Sequence, residues 1–207
     1  MSTDQTSSSL TRCAGTAQGG LGVRTQTRLR TILAEVTQVL AGTVAIALIG
    51  QVALPLPFTP VPVTLGTLAV LGVGSVLGSR RALASVALFV LAACLGVPVL
   101  AGWGSGVTAS FGYVLGYGLA AVVAGRGVTS KGDDGQWVTP MASLDGLARR
   151  AALMLVASAL VYVPGVLWLK VATGAAWGAA FSMGVAPFVV GDVLKSLVAA
   201  LVPARRR

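Results

Sequence analysis

After Arg30 the chain is organised as six apolar stretches, at about 31–53, 62–79, 82–100, 109–125, 147–169 and 184–203. Each is long enough, or nearly so, to cross the roughly 30 Å hydrocarbon core of a bilayer as a helix. Membrane-spanning strands would run about ten residues with alternating polarity. These stretches are longer and apolar on all sides, so helices are expected. Composition agrees: hydrophobic residues make up 55% of 207, glycines number 27, charged residues are 10%, and mean hydropathy is +0.86. An ordinary soluble domain carries about 25% charged residues to wet its exterior. Soluble enzymes, disordered chains and disulfide scaffolds are therefore excluded, and an all-α membrane protein with six transmembrane helices is expected.

The basic residues orient those spans. Lys+Arg exceed Asp+Glu by 15 to 6, and a nucleic-acid surface would gather such an excess on one patch. With the N-terminus inside, every cation except Lys170 and Lys195 instead falls on the inner side of the membrane. The positive-inside rule then places both termini in the cytoplasm, in a multi-pass protein of the cell membrane. Residues 1–30 are polar and rich in Ser, Thr and Gly, without the apolar core of a signal peptide. They are expected to form a disordered cytoplasmic N-terminal tail, with 31–207 as the six-helix membrane domain. Small residues at four-residue spacing, such as Ala41 and Ala45, Gly74 and Gly78, and Gly112 and Gly116, let helix backbones approach closely in lipid.

Between the first two spans, Pro55, Pro57, Pro60 and Pro62 stand in LPLPFTPVPVT, too dense in proline for a helix or an inner strand. An extended, stiff connection is expected. It serves either as a rigid hairpin or as a preformed flap over a cavity open to the outside.

Two acidic residues lie in or against a span. Glu35 is near the cytoplasmic start of the first, within reach of water. Asp192 lies some eight residues into the last, with Lys195 three positions on, so both side chains share one helix face. An isolated charge at mid-bilayer costs about 2.5–3.5 kcal/mol, and intramembrane ionisable groups therefore mark functional sites. Paired charges partly compensate each other yet rarely stabilise better than apolar packing. The pair is thus either a packing lock or a substrate site that offers an acceptor and a donor at adjacent depths. Aromatic residues flank it: Trp103, Phe111, Tyr113 and Tyr117 ahead of or within the fourth span, and Trp177, Phe181 and Phe188 before Asp192. Interfacial belts account for Trp177 and Phe181, whereas the Tyr113 hydroxyl suits an apolar pocket that needs one polar contact. There is no histidine, no phosphate-binding lysine loop and no metal-ligand spacing; Cys13 and Cys94 are far apart. The chain is read as no enzyme, with no catalytic residue, cofactor or metal, and with any transport energy supplied by other subunits.

Three separated motifs, TPVPVT, the G-Y-x-x-G turn into the fourth span and P-F-x-x-G-D-x-x-K, give a resemblance that runs from about residue 40 to 203. The sequence resembles the BioY family, the biotin-specific S components of energy-coupling factor transporters. The resemblance implies an S-component fold that captures biotin from outside, with a T-type transmembrane scaffold and two cytosolic ATPase subunits driving uptake. It implies biotin contacts for Asp192 and Lys195 and a further one for Tyr113, with the fused ring among Tyr113, Phe111 and Phe188. It also places Ala41 and Ala45 against the scaffold partner. Two departures stand out. Gly66 replaces a frequent glutamine, and the stretch Trp103–Ser110 lacks the usual Pro-Thr-Gly-Gly approach to the tyrosine. The alternatives are an S component for another vitamin, or a structural membrane protein whose Asp–Lys pair only locks the helices.

Overall fold

A computed structural model describes residues 7–126, 137–138 and 144–205; Lys131, Arg206 and Arg207, used above to orient the chain, lie outside them. Contacts divide the chain into two units, Met1–Gln38 and Val39–Arg207. The first contains most of helix α1 (Ser7–Gly50), so helical backbone begins well upstream of residue 31. Its described apolar side chains, among them Ile32, Leu33 and Val36, are exposed.

The second unit holds the end of α1 and then α2 (Gly66–Leu77), α3 (Ser79–Cys94), α4 (Phe111–Arg126), α5 (Leu144–Thr173), α6 (Trp177–Gly184) and α7 (Val189–Leu201). Helix α4 is the centre of the packing, lying mainly on α5 and also on α2 and α3; α7 lies on α5 and α2. Glycines allow the close α4–α5 approach. A Cβ at Gly112 would overlap the Pro164 carbonyl and Trp168, and one at Gly116 would come within 2.8 Å of the Val161 carbonyl. The four-residue spacing of those glycines thus does the work expected of it in this helix pair. Gly74 similarly admits Ala124 of α4 to 2.8 Å of where its Cβ would stand. Gly78 acts differently: with φ +77° it ends α2 and turns the chain directly into α3.

The proline-rich connection is a short hairpin. Strand β1 (Ala53–Leu54) pairs antiparallel with β2 (Val63–Thr64), with Ala53 opposite Thr64. Its tip is fixed from the other side of the fold by the Thr59 hydroxyl, which donates to the Met183 carbonyl at 2.9 Å. Two further short strands, β3 (Trp137–Val138) and β4 (Ala204–Arg205), pair antiparallel.

Length and composition qualify fewer helices as spans than the six apolar stretches. Among the described residues, Arg28–Gly50 and Leu144–Thr173 are each long and apolar enough to cross a bilayer, and α6 with α7 makes a third if that pair, bent by 45°, is one crossing. Helix α2 has 12 residues, about 18 Å at 1.5 Å per residue, because residues 62–65 of its stretch belong to the hairpin and the bend after it, and Gly78 ends it. The last stretch is broken internally. Proline disfavours helical conformation in the residue before it, and Ala186–Pro187 lies in the turn between α6 and α7. Asp192 consequently stands in the first turn of α7 rather than eight residues into a continuous helix.

Candidate substrate-binding site

Asp192 and Lys195 are both buried, at 8% and 9% exposure. Lys195 Nζ donates to Asp192 Oδ1 at 2.8 Å, as the three-residue spacing on one face requires. The other carboxylate oxygen, Oδ2, accepts from the Tyr162 hydroxyl of α5 at 2.5 Å. The Asp192 amide also closes the first turn of α7, bonding to the Phe188 carbonyl at 2.8 Å. A carboxylate one turn from a helix N-terminus is favoured by the exposed amide dipoles there. Breaking the last stretch at Pro187 therefore gives Asp192 a better electrostatic setting than mid-helix would. One turn on, Ser196 shares a 2.7 Å hydrogen bond with Ser158 of α5. At the far end Arg150 Nη2 donates to the Val202 carbonyl at 2.6 Å. Three polar contacts thus fix the register of α7 against α5.

The pair faces a small cavity whose wall includes Val61, Thr64, Tyr113, Tyr117, Tyr162 and Phe188. The proline hairpin closes one side through Val61 and Pro62. Tyr113 is held in place by its hydroxyl, which donates to the Gly184 carbonyl at 2.8 Å. Glycines at 165 and 184 make room for it: a Cβ at Gly165 would come within 2.5 Å of its ring, and one at Gly184 would overlap its hydroxyl. Its ring meets Phe188 at 6.4 Å and Tyr162 edge-on at 6.4 Å. A second cavity adjoins the first, sharing Val61, Pro62, Thr64, Tyr113 and Tyr117 and adding Phe89, Leu100 and Ser110.

Of the residues expected at the site, Asp192, Lys195, Tyr113 and Phe188 come together around this one cavity. Phe111 does not line it: buried two residues before Tyr113, it packs on Trp168 with centroids 6.1 Å apart. Trp177 and Phe181 are more than half exposed, at 54% and 56%, as an interfacial belt requires, and Lys170 lies 4.9 Å from the Trp177 ring. Ala41 is exposed and Ala45 half-buried on α1.

Tyr162 was missed from sequence, although a phenol inside an otherwise apolar span is a signal in itself, because such a hydroxyl must find a partner. Tyr117 was noted only as an aromatic. A Cβ at Gly66 would overlap its hydroxyl, so the glycine that departs from the family pattern leaves the space that Tyr117 fills. The stretch before α4 is also specially built. Trp103 has φ +57°, rare outside glycine, and its amide donates to Gln51 Oε1 at 2.9 Å. Gln51 Nε2 in turn donates to the Ala47 and Val99 carbonyls. Among the described residues, no three His, Cys, Asp or Glu side chains lie together as a metal site.

Apolar helices around an internal cavity with a buried ion pair define a helical integral membrane protein whose polar chemistry lies within the bundle. The chain belongs to the BioY family, whose model matches residues 22–207. It is 32% identical over 168 residues to the biotin transporter BioY2 of Lactococcus lactis subsp. cremoris, covering 81% of this chain and 87% of that one. To the biotin transporter BioY of Rhizobium etli it is 34% identical over 155 residues, covering 70% and 78%. In fold it is similar to the crystal structure of the S-component for biotin from an ECF-type ABC transporter. The TM-score is 0.67 at 21% identity, over 84% of this chain and 90% of the other.

Proposed function

We propose that this protein is a biotin-binding S component that captures biotin from outside the cell and works with a T-type membrane scaffold and two cytosolic ATPase subunits. The observation that carries this reading is the Asp192–Lys195 pair, buried and facing a cavity, with each carboxylate oxygen already given one donor. Curated relatives named as biotin transporters support biotin as the ligand.

Biotin's ureido group carries two N–H donors and one carbonyl. An ionised carboxylate has about four acceptor sites and an ammonium three donors, so both residues retain capacity beyond the contacts above. Asp192 accepts from a ureido N–H, and Lys195 donates to the ureido oxygen while holding Asp192. Hydrogen bonds to ionised partners are the stronger kind, and a site built on them rejects ligands that lack the matching group. The fused ring rests against Tyr113 and Phe188, and Phe111 supports this wall from behind through α4.

The remaining assignments follow the same reading. The chain crosses the membrane six times with both termini in the cytoplasm, the short helices completing their crossings with flanking connections. Ala41 and Ala45 present a small-residue surface of α1 to the scaffold protein. Residues 1–30 do not contribute to affinity. Titration of the purified protein with biotin, thiamine and riboflavin tests the reading. Nanomolar binding of biotin alone supports it, and selective binding of another vitamin, or of none, overturns it.

A further inference from the structure

We propose that the same chain also takes biotin conjugated through its carboxyl group as an amide, with the conjugated arm in a third cavity beneath the proline hairpin. This rests on the biotin reading above. A carboxylate offers no donor to Asp192, and its charge meets that of Asp192 at close range. On that reading the end of the ligand that enters the cavity beside Asp192 and Lys195 is the ureido ring, and the valerate arm must leave through the space next to it.

A third cavity, of about 380 Å³ and lined by Gln51, Leu56, Thr59 and Ala101 among others, lies beside the second. Pro62 lines all three, and Ala101 lines the second and third. The third cavity is thus next to the path of the arm, and its volume is of the size that holds a small ligand. The linings of the second and third cavities are apolar groups, hydroxyls and one carboxamide, formed without Lys or Arg. Sharp discrimination requires a group matched to one ligand and left unpaired by the other. Ser110, Thr59 and Gln51 serve an amide as well as a carboxylate, and Thr59 and Gln51 already have partners within the protein. Selectivity is thus set at the ureido end and relaxed at the carboxyl end.

The test is competition binding by the purified full-length protein with biotin, biotin primary amide and ε-biotinyl-lysine. Both amides are expected within about thirtyfold of the biotin Kd. If biotin binds and the amides are weaker than that, the inference is overturned while the biotin reading stands; if none binds, both fall. A Leu56→Trp variant locates the arm. It should weaken ε-biotinyl-lysine at least tenfold relative to biotin, and an unchanged ratio overturns the third cavity as its place.

Discussion

Whether the buried pair is a ligand site or only a lock is decided by removing its charges separately and together. Lys195 Nζ and Asp192 Oδ1 are 2.8 Å apart, with both residues at least nine-tenths buried. Lys195→Met leaves Asp192 with only the Tyr162 hydroxyl as a side-chain partner, and Asp192→Asn leaves the Lys195 charge without a counter-ion. Breaking a buried pair from one side costs about 3–5 kcal/mol, and at about 2–4 °C per kcal/mol for a chain of this size that is a fall of roughly 6–20 °C in Tm. The double variant D192N/K195M buries no charge, and an apolar or neutral replacement of a buried pair is often neutral for stability. Its Tm should therefore return to within a few degrees of the parent. Binding should not return. Two charge-assisted hydrogen bonds at about 1.5–3 kcal/mol each amount to roughly 3–6 kcal/mol, or a loss of between two and four powers of ten in biotin affinity. Thermal unfolding and equilibrium titration of all four proteins give the cycle. A double variant that recovers stability and also binds biotin within threefold of the parent would refute the ligand assignment and leave the pair as a lock.

Three further outcomes follow from the geometry. Tyr162→Phe removes the donor to Asp192 Oδ2; a hydrogen bond to a charged group is worth about 1.5–3 kcal/mol, so Tm should fall by roughly 3–12 °C, with the fold retained in far-ultraviolet circular dichroism. Gly112→Leu forces a side chain into Trp168 and the Pro164 carbonyl, and overpacking of at least about 1–3 kcal/mol should lower Tm and reduce the yield of folded protein in mild detergent. Ala41→Leu with Ala45→Leu should leave biotin titration unchanged while reducing copurification of the scaffold and ATPase subunits; equal recovery of those subunits would remove α1 as the docking face.

The limits of legibility were physical. Hydropathy revealed the apolar stretches, because burial in lipid imposes a composition, but it did not reveal where helices end inside them. Strand β2 takes the start of the second stretch, and Pro187 interrupts the last, which remains apolar on both sides; the break before α7 moved Asp192 from mid-helix to a first turn. The Asp–Lys pair was legible because a charge in an apolar span is expensive and spacing on one helix fixes its partner. Tyr162 was not, since its contact with Asp192 joins residues 30 positions apart on two helices. Phe111 shows the same limit from the other side. It stands two positions before Tyr113, a spacing at which helical side chains do not face each other, and its ring packs on Trp168 of α5 instead of entering the cavity.

The central claim is that biotin lies with its ureido ring against Asp192 and Lys195. The most direct measurement is an experimental structure of the protein saturated with biotin. The account predicts a ureido N–H within hydrogen-bonding distance of Asp192, the ureido oxygen near Lys195, the ring against Tyr113 and Phe188, and the valerate directed toward Ser110. Density for biotin with its carboxylate on Lys195, or bound elsewhere on the protein, would contradict it.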